Sequence, residues 1–305
     1  MSLSKYLQSN EILRAISGKD PTIARSLILD KGLHWLAEHP EEGALIKKNL
    51  SCFTIPFTED LIECIQEHIV LHYYEKILPL CGDPEFYYNF LNDNVDIHEI
   101  YTLTEALKHG KGVLVTVAHF GGVELIVPAL AMFKIPIHPV VRFTTEQFSH
   151  IAHKHAKDME ESGFFGPITF IEIGRQGTMA ALEMAAVLRK KEVLVSVFDE
   201  ETEYSIPVKL FGREILGGAG LDRLLRFTNT PVTLFNAFMI RTEGNRYQLK
   251  FVGIDITKEN PIQRMFNNLE AIIKENLEQW YYLHEDISFE DNQPRAGLEL
   301  KIEGE

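Results

Sequence analysis

Apolar positions over the first hundred residues follow a helical rhythm. Ile23, Leu27, Leu29, Leu33, Trp35 and Leu36 fall roughly along one stripe, as when one face of a 3.6-residue helix is buried. His39-Pro40 interrupts it. Pro40 with Glu41 and Glu42 then suits the first turn of a new helix, where proline loses no hydrogen bond and acids meet the positive end of the dipole. Leu61, Ile65, His68, Ile69, His72 and Tyr73 make another helical face that closes near Pro79 and Gly82. The pattern predicts a helical region over residues 1–110.

From about 111 the grammar changes. VLVTVA (113–118) is a short β-branched run bounded by Gly112 and Gly121, and reads as a buried strand. A helical stretch (122–133), IPIHPVV (135–141), a polar helix-like stretch (144–161) and ITFIEI (168–173) follow. Residues 176–190 read as helix and VLVSVF (193–198) as another buried strand. Residues 206–211, 232–240 and 247–252 look extended, and about 260–280 helical. Strands alternating with helices predict an α/β fold, with a helical N-terminal region and a largely parallel central sheet flanked by helices. The expected division is 1–110 helical, 111–288 α/β core and 289–305 a flexible acidic tail. The last stretch, 285–305, holds seven acids and two bases.

Composition narrows the function. The chain has 305 residues, 45% hydrophobic and 24% charged, which excludes disordered, collagenous and low-complexity classes. Thirty basic against 44 acidic residues leave a net charge of −14. That argues against nucleic acid as partner and against simple adhesion to anionic lipid. The three cysteines (Cys52, Cys64, Cys81) lack metal-ligand spacing and read as reduced thiols. No secretory h-region and no run of about 18 apolar residues stands out. The expected location is cytoplasmic, at most peripheral to the inner membrane, with no transmembrane anchor.

The chemical candidate is A-H-F-G-G-V-E. His119 follows a buried strand directly and Glu124 lies five residues on, past Gly121 and Gly122. The carboxyl end of a strand is where α/β sheets bind ligands. Glycines let the backbone turn and approach a substrate closely. Glu124 would take one imidazole N–H and leave the other nitrogen to accept a proton from a hydroxyl or amine. The bare spacing by itself fits a core histidine beside a capping glutamate better. His150, His153 and His155 lie close together on a helix-like stretch, but with no second ligand cluster no metal is expected.

The block VLVTVAHFGGVELIVPAL resembles the active-site block of the lauroyl/myristoyl acyltransferase family of lipid A biosynthesis. That family is distantly similar to the lysophospholipid and glycerol-phosphate acyltransferases with their H-x₄-D motif. The resemblance runs in order through NLSCFTIPFTEDLIECIQEHIVLHYYE (49–75), VVRF (140–143) and GRQGTMAALEMAAVLRKKEVLVSVFDEE (174–201). It continues through VKLFGREI (208–215), GLDRLLRFTNTPVTLF (220–235) and LEQWYYLHEDI (277–287). It implies that His119 is a general base oriented by Glu124, at an H-x₄-E motif that forms no covalent acyl-enzyme. It further implies that Arg142 meets the acceptor head group or the oxyanion, and that Asp199, Glu200 and His284 line the site with Gly121 and Gly122. Arg175 is a weaker candidate.

The implied activity is transfer of an acyl (or aminoacyl) group from a coenzyme A or acyl-carrier-protein thioester to a hydroxyl or amine of a small-molecule or lipid acceptor. The donor is a substrate, and no cofactor is expected to be held permanently. A carrier protein, acyl or peptidyl, is the implied partner, and Arg189-Lys190-Lys191 is a local basic patch for docking one. Two departures stand out. Polar residues 1–20 replace the family's hydrophobic anchor, and Glu285-Asp286 replaces its basic pair after the terminal histidine. Both point from lipid A toward a less anionic acceptor, in specialised lipid or natural-product assembly. A thioester hydrolase and a membrane-peripheral lipid A or phospholipid acyltransferase remain alternatives.

Overall fold

The computed structural model describes residues 2–143, 146–174, 177–202, 205–218, 220–228, 230–258, 260–287 and 289, without the side chains of 147, 148, 177 and 178. Arg175 and the tail beyond Phe289 lie outside the described residues. Helices α1 (Leu3–Leu7), α2 (Asn10–Ile16), α3 (Pro21–Glu38), α4 (Pro40–Cys52), α5 (Glu59–Ile77), α6 (Pro84–Asn94) and α7 (Ile100–Lys108) build the N-terminal layer. Side-chain caps open several of them. Ser9 accepts from the Ile12 amide, Asp20 from Thr22, Thr58 from Leu61 and Asp83 from Phe86, satisfying N–H groups the helix leaves orphaned. The buried face of α3 is Ala24, Ile28, Gly32, Trp35 and Leu36. Ile23, which the sequence placed on the stripe, is 56% exposed. Gly32 sets the contact with α5, because a Cβ there would come within 2.5 Å of Val70.

The strands are β1 (Val95–Asp96), β2 (Gly112–Gly121), β3 (Ile137–Val141), β4 (Ile171–Glu172), β5 (Val193–Val197), β6 (Ser205–Leu210), β7 (Arg213–Gly218), β8 (Val232–Arg241) and β9 (Tyr247–Ile254). Seven form one sheet in the order β1-β9-β8-β2-β5-β3-β4, and β6 with β7 makes a separate hairpin. All neighbours in the large sheet run parallel except β8 and β9. Helices α8 (Ile126–Ala131), α9 (Glu146–Glu161), α10 (Gly177–Arg189), α11 (Gly220–Thr228) and α12 (Pro261–Glu275) accompany the strands. The fold is therefore the α/β layering the sequence predicts. The run 113–118 extends to Gly121, whereas 168–173 keeps only Ile171–Glu172 as strand, with Ile168 in an isolated bridge to Ile137. β1 falls inside the region read as wholly helical.

β2 is the middle strand and nearly all of it is buried. Val113–Val117 lie opposite Val193–Val197 on one side, and Gly112–Val117 opposite Val232–Ala237 on the other. Past Val117 the register shifts, so that Gly121 pairs with Met239. The extra β2 residues there make a bulge, the usual device for re-aiming a side chain at a strand end. Among the described residues no helix is long and apolar enough to cross a membrane.

Candidate active site

The bulge carries His119. Its backbone N–H donates to Asp199 Oδ2 at 2.8 Å, and its Nδ1 lies 3.0 Å from Asp199 Oδ1. Asp199 follows β5, the strand beside β2, so two parallel carboxyl ends bring the pair together. A carboxylate only accepts, so Nδ1 carries the proton and Nε2 faces outward. Glu200 Oε1 sits 3.4 Å from Nε2, on a side chain that is 56% exposed. Burial pulls the imidazole's pKa down. The charge and hydrogen bond of Asp199, then the charges of Glu200 and Glu124, outweigh it and push the value up to about 9.

Glu124 is not on the imidazole. It lies in a 3₁₀ turn (Val123–Leu125), 3.6 Å from His72 Nε2 and 3.7 Å from Lys76 Nζ. The structure thus gives the orienting position at Nδ1 to Asp199, 80 residues away in sequence, and leaves Glu124 acting on His119 through space. His72 is fully buried, and desolvation and then the charges of Lys76 and Arg241 hold it neutral. Asp199 and Glu200 face the histidine, and neither is ion-paired to Arg142.

The glycines serve packing. Gly121 has φ +57°, and a Cβ there would fall 1.9 Å from the Met239 carbonyl. A Cβ on Gly122 would touch Tyr247 at 3.0 Å, and the Gly122 amide already donates to the Met239 carbonyl at 2.8 Å. With the His119 amide on Asp199, neither N–H is left for an oxyanion. Arg142 follows β3 at the same sheet edge, exposed, with β5 between it and β2. His284 lies in a 3₁₀ turn (Tyr281–His284) and donates from Nδ1 to the Tyr281 carbonyl at 2.6 Å. Its Nε2 is 3.6 Å from Glu285.

Several contributors escape a reading of the sequence. Tyr281 and Tyr282 stack beside His119, with ring centroids at 6.0 and 5.5 Å. The Tyr281 hydroxyl meets that of Tyr73 at 2.9 Å, and its ring lies 4.0 Å from His72. The Tyr282 hydroxyl is pushed up by burial and by the charges of Asp199, Glu200, Glu285 and Glu201. Arg241, at the end of β8, is buried and bidentate to Glu75 at 2.6 and 2.8 Å. Its guanidinium also donates to the Gly121 carbonyl at 2.8 Å. Gln279 closes the arrangement by bonding both the amide and the carbonyl of Arg241. The helical spacing of His68, His72 and Lys76 was the available signal; nothing local marks their partners.

Among the described residues no group of three or more His, Cys, Asp or Glu is arranged to hold a metal ion. His153 packs instead against Phe143 and Phe170. Arg189-Lys190-Lys191 precedes β5, at the sheet edge opposite His119. Geometrically, then, the site is a buried carboxylate holding a half-buried imidazole with one nitrogen outward, ringed by tyrosines and further carboxylates. Such a pair can move a proton to and from a substrate held at Nε2. Residues 88–287, more than half of the chain, match the family model described as bacterial lipid A biosynthesis acyltransferase. A search of the curated proteins gives no match.

Proposed function

We propose, from the premise that the chain belongs to the bacterial lipid A biosynthesis acyltransferase family, that His119 is the general base of its acyl transfer. The enzyme transfers acyl groups to lipid-like acceptors. In the proposed reaction Asp199 holds Nδ1–H, and Nε2 takes the proton from an acceptor hydroxyl or amine. The freed oxygen or nitrogen attacks the carbonyl carbon of a thioester on coenzyme A or a carrier protein. The tetrahedral intermediate then expels the thiolate as the carbon–sulfur bond breaks, and Nε2–H returns its proton to sulfur. No covalent acyl-enzyme is needed. With the His119 and Gly122 amides committed, Arg142 is the proposed donor to the oxyanion.

The observation that carries this reading is His119 locked through Nδ1 to Asp199, with Nε2 outward. Glu200 stands where the acceptor's reacting atom belongs, so its exposed side chain yields that place on binding. The carboxylates around Tyr282, with Glu285 beside His284, support an acceptor less anionic than a densely phosphorylated lipid. That chemistry suits specialised lipid or natural-product assembly. Proton transfer of this kind contributes ~10²–10⁴ in rate. His119→Ala should therefore abolish transfer while the circular dichroism spectrum stays that of the parent.

The decisive experiment is intact-mass detection of acyl transfer from coenzyme A and carrier-protein thioesters, with pooled alcohols and amines as acceptors. Transfer by the parent and none by His119→Ala is expected. Undiminished transfer by a folded His119→Ala protein would overturn the assignment. Free acid released at a rate no acceptor improves would replace transfer with hydrolysis.

A further inference from the structure

One helix outside the matched span meets both ends of the turn that carries His119. His68, His72, Glu75 and Lys76 recur along α5 at the spacing of a single helical face. At the far end of the turn, His72 Nε2 and Lys76 Nζ lie 3.6 and 3.7 Å from Glu124 Oε1. At the near end, Glu75 grips the Arg241 guanidinium through both carboxylate oxygens, and that guanidinium donates to the Gly121 carbonyl. His68 Nδ1 stands 3.2 Å from Arg241 Nη1. The Glu75–Arg241 pair is almost wholly shielded, with side-chain exposures of 0% and 4%.

We propose that this face of α5 positions the catalytic turn, with Lys76 fixing Glu124 and Glu75 fixing Gly121 through Arg241. The pair's burial and its bond to the turn both fit positioning better than bulk stability. A buried ion pair is a poor source of net stability, because desolvation offsets its attraction. Its guanidinium, however, spends a donor on the one backbone carbonyl whose residue has positive φ in the turn. A turn with left-handed backbone keeps its geometry only where surrounding contacts over-determine it. His119 sits two residues before that carbonyl, so a shift there moves Nε2 against the acceptor. The inference rests on His119 being the base.

The test compares full-length Lys76→Gln, Lys76→Arg, Arg241→Lys and Ile62→Val with the parent and with His119→Ala. Arg241→Lys keeps a cation for Glu75 but cannot span to Gly121 as well. Lys76→Gln and Arg241→Lys should lower kcat ~10-fold, the scale of a sub-ångström misplacement of reacting groups, with KM for the donor within about twofold. Lys76→Arg should restore kcat. Ile62→Val, which trims the buried side of the same helix, should lower Tm and leave kcat alone.

Parent kcat in folded Lys76→Gln and Arg241→Lys, with His119→Ala silent, would overturn the positioning role alone. A kcat loss that Lys76→Arg does not restore would also overturn it. Parent-like transfer by His119→Ala would instead sink the general-base reading. If Arg241→Lys does not fold, Lys76→Gln decides, because its side chain is 30% exposed.

Discussion

At pH 7 the resting His119 holds a proton, because its pKa stands at about 9. A general base must lose that proton first. The kcat/KM of the free enzyme should therefore climb as pH rises toward about 9. Glu200→Gln removes a negative charge 3.4 Å from Nε2, disfavours the imidazolium and should move that limb to lower pH. An unmoved limb would show that Glu200 does not act on the base. The two carboxylates should also separate. Asp199→Asn replaces an acceptor with a group able to present N–H to Nδ1, which inverts the tautomer, and should cost ~10³–10⁴ in kcat. Glu124→Gln should cost ~10-fold or less, since Glu124 acts on the His119 ring only through space. Equal losses would return Glu124 to the orienting role. His119 itself was legible as a histidine closing a buried run. Its partner was not, because Asp199 becomes a neighbour only through strand order, whereas five-residue spacing made Glu124 look like the local choice.

Among the elements, the bulged end of β2 and the turn after it are the most constrained. Gly121→Ala would put a Cβ against the Met239 carbonyl at positive φ. A left-handed backbone costs L-residues roughly 1–2 kcal/mol before any clash. Total destabilisation should exceed ~2 kcal/mol, read as a fall in the urea midpoint. A smaller change would mean the turn relaxes freely. The strands flanking β2 were legible as mostly apolar runs, since a parallel strand is buried on both faces. Three features were not. β1 is a two-residue strand, too short to carry a period. The buried face of α3 turned out one position away from Ile23, because Gly32, invisible to a hydrophobic count, marks the line of contact with α5. β7 mixes charged and small residues, and pairs with β6 and, through Ile215, with Phe289.

Across the whole molecule, titration of His119, His68 and His72 should limit stability from both sides. His119 has its pKa raised above its ordinary 6.5. Its contribution is complete below that value and is lost as pH rises through about 9. His68, lowered to about 3 by burial and then by Arg241 and Arg25, and His72, lowered mainly by burial, act oppositely. Their contribution is present above 6.5 and is lost as pH falls below it, for His68 toward about 3. A plot of Tm against pH should peak near neutrality, and His119→Gln should flatten its alkaline side only. The architecture was readable from alternating patterns, but the dependence of the core on its helical layer was not, since it rests on side chains far apart in sequence. Asn49 illustrates this. Its amide donates at 2.9 and 2.8 Å to the carbonyls of Leu283 and Glu285, more than 230 residues away. Contacts of such long range are slow to form, because loop closure precedes any reward. During synthesis α4 and α5 emerge early and must wait, with a polar amide and an apolar face uncovered, until Gln279–His284 arrives. A nascent chain stalled before that segment should be inert and bound by chaperones, and activity should appear in one late step when the segment docks.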